Sequence, residues 1–304
     1  MSINQEAIRL LEENEYENSL KLFKKAVDEA RDVQSLTNLA WIYCYEEYKD
    51  NKALTLLDEA ISLNPSSHFP YNLYGEILVR QEKWIEAKDI LLQSINIKPT
   101  INANNNLAVA CYHLGEFEKA SKYFLLGSES SDYAMYSHVY CLIRLGETKI
   151  AIETLGNFKE DDDEFVGEIE VAELYLELEM FNEAAKWFEK GWKRYSKEVR
   201  WVSRFIYTLL KLSRTDFTEK FQDVIKEKEE TIKEEYNEEC DEDWTEEEKQ
   251  DYITELVTEK KAFEQMYKKI INGFVPVMKF DTSVKTGCYL FGCKRHNHPE
   301  YQEL

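Results

Sequence analysis

The sequence predicts an all-α fold, a solenoid of stacked helix-turn-helix repeats, and two observations support this prediction. A small residue followed four positions later by Leu or Phe recurs six times, at Ser19, Ala53, Ala87, Ala120, Ala151 and Ala184. These anchors lie 34, 34, 33, 31 and 33 residues apart, a period typical of arrays in which no repeat buries its apolar face alone. Glycine and proline are scarce, with 10 and 5 in 304 residues, so the predicted helices meet few interruptions.

The third repeat shows the pattern most fully. It contains, in order, Tyr71, Tyr74, Gly75, Leu78, Trp84, Ala87, Leu91, Ser94 and Pro99. Two helices approach closely only where small side chains such as Ala87 and Ser94 lie between them, and Trp84 and Leu91 fill the space between layers. The fifth repeat is the weakest, because it has no aromatic residue at Thr148 and has Phe158 where a small residue is usual.

This order of aromatic, small and large residues resembles the tetratricopeptide repeat family over residues 1–196. The resemblance implies a right-handed superhelical solenoid of six to seven repeats whose family members are chiefly binding scaffolds. Pro65 and Pro99 are expected to close second helices, since proline cannot continue a helix. Gly115 and Gly146 are expected between a first and a second helix, where a left-handed helix end favours glycine.

The organisation changes after the repeats. Residues 199–212 and 217–236 read as two further helices, which we interpret as a seventh, longer pair. Thr245 and Glu248 form a capping box that starts another amphipathic helix, and this helix continues until Gly273. We therefore predict three regions: a repeat array over 1–236, an acidic segment with a capping helix over 237–273, and a short Cys/His tail over 274–304.

The charge of the chain limits its partners. The formal net charge is −21, which repels phosphate backbones and anionic membranes, so neither nucleic acid nor membrane is an expected partner. Acidic runs at 160–164 and 227–248 read either as solvated faces or as steering patches for a basic protein or peptide. The start of the chain lacks a secretory signal pattern, and no apolar run is long enough to span a membrane, so we expect a cytoplasmic protein with reduced cysteines.

The tail contains a cluster of possible metal ligands. Cys288, Cys293, His296 and His298 fall within 11 residues, and two thiolates with two imidazoles can complete a tetrahedral structural zinc site. The spacing matches no named zinc motif, and two alternatives stay open. One is a disordered or loosely packed tail, and the other is a redox or partial metal site with a reversible disulfide between the two cysteines. Residues 274–280 and 284–291 read as two short extended segments.

The predicted binding surface is the concave face lined by the first helices of the repeats. An asparagine recurs near the fifth position of that helix, at Asn4, Asn38, Asn72, Asn105 and Asn106. An amide side chain both donates and accepts, so such a ladder can hold the backbone of an extended peptide without reading its sequence. The alternative is that these asparagines serve stacking between repeats.

Further along the same helices lie side chains that either add selectivity to this face or are ordinary rim residues. They are Tyr45, Arg80, Tyr112, His113 and Arg144. The sequence contains no phosphate-binding loop, no nucleophile elbow and no H-E-x-x-H helix, so we predict no enzyme. The favoured function is an interaction scaffold for a protein or peptide segment. The alternatives are a metal- or redox-responsive regulator that uses the tail, and an enzyme assembled across repeats.

Overall fold

A computed structural model of the chain describes residues 2–128, 131–239, 245–293 and 295. Within these residues it contains fifteen helices and no strand, which confirms the predicted all-α class. The chain forms two compact units. Unit 1 comprises residues 1–147 and 282–304, and unit 2 comprises residues 148–281. The boundary between the two units falls in the weak fifth repeat. The region boundaries predicted after residues 236 and 273 were drawn from the repeat pattern, and they stay a prediction.

Unit 1 is built from paired helices. They are α1 (Ile3–Glu12), α2 (Tyr16–Glu29), α3 (Val33–Tyr45), α4 (Asp50–Ser62), α5 (Phe69–Arg80), α6 (Trp84–Ile97), α7 (Ile101–His113), α8 (Phe117–Leu126) and α9 (Asp132–Leu145). The first helices α1, α3, α5 and α7 each pack against the helix that follows, and these four also contact one another in that order. These four first helices therefore form one continuous face, which we call the first-helix face of unit 1.

Unit 2 continues with helical pairs and a longer closing helix. Its helices are α10 (Thr148–Leu155), α11 (Glu168–Glu177), α12 (Phe181–Trp192), α13 (Val199–Lys211), α14 (Phe217–Asn237) and α15 (Glu246–Ile271). The predicted capping box is confirmed at the start of α15. The Thr245 side chain accepts a hydrogen bond from the Glu248 N–H, and the Glu248 carboxylate accepts one from the Thr245 N–H. Helix α15 packs against both α13 and α14, so it covers the last helical pair of this unit.

The small residues of the repeat pattern lie where helices approach each other. All six anchor residues of the sequence period have no exposed surface. At Gly75 a Cβ atom would lie 2.5 Å from the side chain of Leu91, which is closer than two carbon atoms approach. The distance between α5 and α6 therefore depends on a residue without a side chain, as the pattern predicts.

Each first helix of a pair ends in a turn through one residue with positive φ. These residues are Asn14, Tyr48, Glu82, Gly115, Gly146, Glu179 and Ser213, with φ between 52° and 77°. Their spacing of 34, 34, 33, 31, 33 and 34 residues follows the period of the sequence anchors and extends it to α13. The left-handed turns predicted at Gly115 and Gly146 are confirmed, and the seventh pair has the same turn as the other six.

Residues 274–293 form no helix and no strand. Residues 274–281 belong to unit 2 and residues 282–293 to unit 1. Among the described helices, none combines the length and the apolar character that crossing a bilayer requires.

Candidate functional site

The first-helix face of unit 1 is covered by residues 282–293 of the same chain, which we call the docked segment. Two asparagines each bind both backbone groups of one residue of this segment. Asn106 Oδ1 accepts from the Lys285 N–H at 2.8 Å, and its Nδ2 donates to the Lys285 carbonyl at 2.8 Å. Asn38 does the same for Phe291, at 2.7 Å and 3.1 Å. Because these bonds involve only main-chain atoms of the docked segment, they fix its register without reading its side chains.

Three further side chains donate to carbonyl groups between and beside these two positions. Asn105 Nδ2 donates to Ser283 at 2.8 Å, Asn102 Nδ2 donates to Thr286 at 2.9 Å, and Trp41 Nε1 lies 3.4 Å from the Gly287 carbonyl. Two of these donors, Asn102 and Trp41, are not members of the ladder that the sequence suggests. The sequence gives little indication of their role, since a single amide or indole side chain at a helix surface occurs in many other structural contexts.

Side chains of the docked segment alternate between two apolar clusters. Tyr289 and Phe291 pack with α3 and α5, and the ring centroids of Phe69 and Phe291 lie 4.9 Å apart. Leu290 packs instead with residues of α1, α2 and α3. Tyr289, Leu290 and Phe291 are each less than 5% exposed. An alternation with period two is the geometry of an extended chain, so the apolar contacts and the backbone bonds describe the same conformation.

The remaining asparagines of the predicted ladder bind within the helical array. Asn4 Nδ2 donates to Ser35 at 3.0 Å, and its Oδ1 lies 3.3 Å from Asn38 Nδ2, so it supports Asn38. Asn72 accepts from Ser94 and donates to Thr100 at 3.3 Å. The structure therefore places Asn38, Asn105 and Asn106 against the docked segment, and it places Asn4 and Asn72 in contacts between helices.

A buried carboxylate lies beneath the docked segment. Glu76 has no exposed surface; it accepts a hydrogen bond from Tyr45 Oη, and Arg80 Nη1 lies 3.4 Å away. Arg80 also binds Asp50 at 3.1 Å. Burial raises the pKa of Glu76 to about 7, although Tyr45, Arg80 and the Gly287 N–H lower it. Tyr45 and Arg80 thus act on Glu76, which the sequence analysis did not single out.

The position of Glu76 in its repeat could have revealed it. The residues at the same distance before the left-handed turn are Ile8, Ile42 and Val109 in three other pairs of unit 1. A carboxylate at a register position that is aliphatic in the other three of the first four pairs indicates a buried charge with specific partners.

We expect Glu76 to make the stability of unit 1 fall as pH rises from about 4.5 to about 7. In this range the folded chain retains a proton that the unfolded chain has lost, so unfolding becomes easier with each proton released. A pKa of about 7 against 4.5 corresponds to at most about 3 kcal/mol. Glu76→Gln should remove this pH-dependent part of the free energy of unfolding. The stability of the variant relative to the wild type should therefore increase as pH rises. Urea denaturation at pH 5, 6, 7 and 8 measures it, with Glu118→Gln on the exposed surface of α8 as the control; parallel pH profiles for wild type and Glu76→Gln would contradict the assignment.

The other predicted residues lie near the start of the docked segment or beyond it. His113 Nε2 lies 3.0 Å from Thr282 Oγ1, and its ring stacks on Trp84 with centroids 4.0 Å apart. The Tyr112 ring meets His113 edge-on at 5.2 Å. Arg144 lies 4.8 Å from the Phe117 ring centroid. His113 therefore contacts the first residue of the docked segment.

In unit 2, a separate buried ion cluster binds the chain just before the docked segment. Arg204 is 2% exposed and donates to Glu177 at 2.6 Å and to the Pro276 carbonyl at 2.9 Å. Its Nε lies 3.4 Å from Glu173, which is 3% exposed. Burial raises the pKa of Glu173 to about 7, and Arg204 opposes this rise. This cluster was not predicted from the sequence, although Glu173 occupies the same register position as Glu76.

The predicted metal ligands are only partly within the described residues. Cys288 and Cys293 line one cavity of about 340 Å³ together with Ile8, Trp41 and Arg295. His296 and His298 lie outside the described residues. Across the part of the chain that the structure describes, no three His, Cys, Asp or Glu side chains form a metal-binding cluster. Two thiolates would supply two of the four ligands of a structural zinc site, and zinc stays a prediction.

Comparison with known proteins gives structural similarities only. No protein-family model matches the chain, and no curated protein matches it. A solved structure of YrrB, described as a TPR protein with an unusual peptide-binding site, has 22% identity, covers 54% of this chain and 91% of its own, and has a TM-score of 0.46. The corresponding values for MamA AMB-1 are 19%, 51%, 95% and 0.44. For Naa15/Naa10 bound to HypK-THB they are 13%, 90%, 41% and 0.45.

These scores are low, so the fold assignment depends on the helices of this chain. The sequence predicts a repeat of small and large residues, and the structure places the anchors of that repeat at helix contacts with a left-handed turn after every first helix. By its repeat register and its paired helices, the chain has an all-helical repeat fold of the kind found in tetratricopeptide-repeat proteins.

Proposed function

We propose that this protein is a non-catalytic interaction scaffold and that the first-helix face of unit 1 binds an extended segment of a partner protein. The observation that carries the proposal is the pair of asparagines, Asn38 and Asn106, each of which binds the N–H and the C=O of one residue. Such pairs hold any extended backbone. The docked segment now occupies these groups, so a partner segment binds by taking its place.

The charge of the chain narrows the partner further. A net charge of −21 favours a neutral or basic segment over an acidic one, and the docked segment itself contains Lys285 and no acidic residue. A cytoplasmic location belongs to the same proposal, because Cys44, Cys111 and Cys141 are free thiols, as reducing compartments keep them.

Binding of a labelled peptide tests this proposal. The probe has the sequence of residues 282–293, and binding is measured by fluorescence anisotropy under reducing conditions. The full-length chain carries Phe291→Ala, which weakens its own docked segment and frees the face. Adding Asn38→Ala and Asn106→Ala should weaken binding at least about 100-fold, because each change leaves buried backbone groups without partners, at about 1–3 kcal/mol each.

The matched control is Asn51→Ala, on the exposed side of α4, in the same Phe291→Ala chain. It should bind the peptide as tightly as its parent. Equal binding by the Asn38→Ala, Asn106→Ala chain, with its helical circular dichroism intact, would remove the asparagines from the site. Absence of binding to every chain would remove the site itself.

We also propose the metal-dependent alternative, which is favoured by one observation: Cys288 and Cys293 line the same cavity beside the docked segment. With His296 and His298 they would complete a structural zinc site that holds the end of the docked segment in place. Elemental mass spectrometry of the purified protein should find about one zinc per chain, and Cys288→Ser with Cys293→Ser should lose it. Cys111→Ala, which alters a buried core thiol, is the control; zinc in the double variant, or none in the wild type, would contradict the proposal.

A further inference from the structure

The docked segment also indicates which sequences the site selects. We propose that the first-helix face of unit 1 recognises extended segments in which a glycine is followed, at the second and fourth positions, by aromatic residues. This inference rests on the proposed function and names the chemical class of its partner. The pattern corresponds to Gly287, Tyr289 and Phe291 of the docked segment.

The register of a bound segment is fixed before any side chain is read. Asn106 and Asn38 hold the backbones of Lys285 and Phe291, six residues apart. An extended chain has little slack over this distance. Each intervening residue therefore has a defined place on the face, so side-chain selectivity at one position does not shift to its neighbours.

Glycine is selected at position 287 by close approach. A Cβ atom there would lie 2.6 Å from Asn102 Nδ2 and 2.7 Å from the Tyr289 ring. Asn102 is bonded to the Thr286 carbonyl and Tyr289 is 4% exposed, so a Cβ atom at this position would break that hydrogen bond or displace the ring from its pocket. The Trp41 side chain approaches the carbonyl of the same residue, which brings the backbone still closer to the face.

Aromatic residues are selected at positions 289 and 291 by a pocket between α3 and α5. Phe69 meets the Tyr289 ring at 5.9 Å and the Phe291 ring at 4.9 Å, with both pairs inclined. The pocket is completed by Ala40, Leu73 and Ile77, all without exposed surface. Inclined rings at these distances are favoured arrangements of aromatic pairs, and a smaller side chain would leave a void.

Other positions of the docked segment are not read in this way. Ser283 and Thr286 are exposed, and the contacts described at both residues are made by their main-chain carbonyls. A partner segment is therefore free to vary at these positions. This gives the experiment an internal control within the same peptide.

A panel of peptides measured against the full-length Phe291→Ala chain tests the inference. The parent is the sequence of residues 282–293. The peptide change Phe291→Ala should weaken binding by about 100-fold or more, and Gly287→Ala by about 10- to 100-fold. The peptide change Thr286→Ala should leave affinity within about twofold.

The outcomes separate the inference from the proposed function. If all peptides bind equally and Asn38→Ala with Asn106→Ala still abolishes binding, the selectivity is wrong and the scaffold function stands. If no peptide binds to the chain whose own segment is weakened, both are wrong. If light scattering shows that this chain is a dimer that the parent peptide does not dissociate, the occupant is a second copy, and the partner class proposed here is overturned.

Discussion

Replacing Arg204 by methionine is expected to lower the free energy of unfolding of unit 2 by about 3–5 kcal/mol. Methionine retains much of the length of the side chain and removes its charge. Glu173 is 3% exposed and would keep its carboxylate in the interior without a cation. The Pro276 carbonyl would also lose the hydrogen bond from Arg204 Nη1. Breaking one side of a buried ion pair is costly because the remaining charge is not hydrated.

The loss should grow with pH, which distinguishes it from a simple packing defect. In the wild type the pKa of Glu173 is about 7 and Arg204 holds it down, so the variant should raise it further. At pH 6 the carboxyl is mostly protonated in both folded proteins, whereas at pH 8 the variant must either bury a charge or take up a proton. The destabilisation is therefore expected to be larger at pH 8 than at pH 6.

Guanidinium denaturation followed by tryptophan fluorescence measures this effect, since Trp201 lies on the same helix and is 5% exposed. Adding Glu173→Gln to Arg204→Met should recover part of the loss, because it removes the orphaned charge. Lys226→Met, on α14 of the same unit, is the control: its ion pair with Glu230 is exposed on both sides, and exposed pairs contribute about 0–1 kcal/mol. Similar losses for the two variants, or no pH dependence for Arg204→Met, would refute this account of the cluster.

Phe291→Ala is expected to release the docked segment from unit 1. The ring is 3% exposed and packs on Phe69, and truncating a buried phenylalanine costs about 3–5 kcal/mol. The segment is joined to the rest of the chain, so this energy shifts a local equilibrium and leaves the helices folded. Its amides should lose protection from hydrogen exchange by about two to three orders of magnitude.

Hydrogen exchange resolved by mass spectrometry measures this release. Protection should fall in residues 282–293 and also in α3 and α5, which the segment no longer covers, while protection in α6 and α8 should stay unchanged. Val277→Ala is the matched control, because Val277 is an apolar residue of the same tail that is 81% exposed. Uniform loss of protection through unit 1 would mean that Phe291 is an ordinary core residue of the unit and that the segment does not detach.

The repeat architecture could be predicted from the sequence because it is local. Ser19, Ala53 and Ala87 each lie at a contact between helices that are close in the sequence. The same pattern recurs in each repeat. The left-handed turns at Tyr48 and Glu82 were less visible, since these residues rarely adopt positive φ. In the array their conformation is imposed by the helices on either side, which is why the register of the repeat predicts it better than the residue type does.

The candidate site could be predicted only in part. The chemistry of Asn38 and Asn106 suggested a backbone-binding face, yet the sequence did not distinguish them from Asn72, whose Ser94 and Thr100 partners lie on other helices. Nor did it identify the docked segment. Asn38 and Phe291 are 253 residues apart, and no periodic pattern connects them. The tail was predicted as extended, but what it would contact depends on the folded array.

The long sequence separation between the first-helix face and the docked segment also means that the face is synthesised well before the segment that covers it. The helices of unit 1 are synthesised early, and residues 282–293 are synthesised after all of them. At about 5–20 residues per second, the delay is on the order of 10–50 s. Throughout that interval no docked segment covers Phe69 and Leu73 on the nascent chain. A segment of another protein can therefore bind them first. A partner present at the ribosome would meet the face before its covering segment exists.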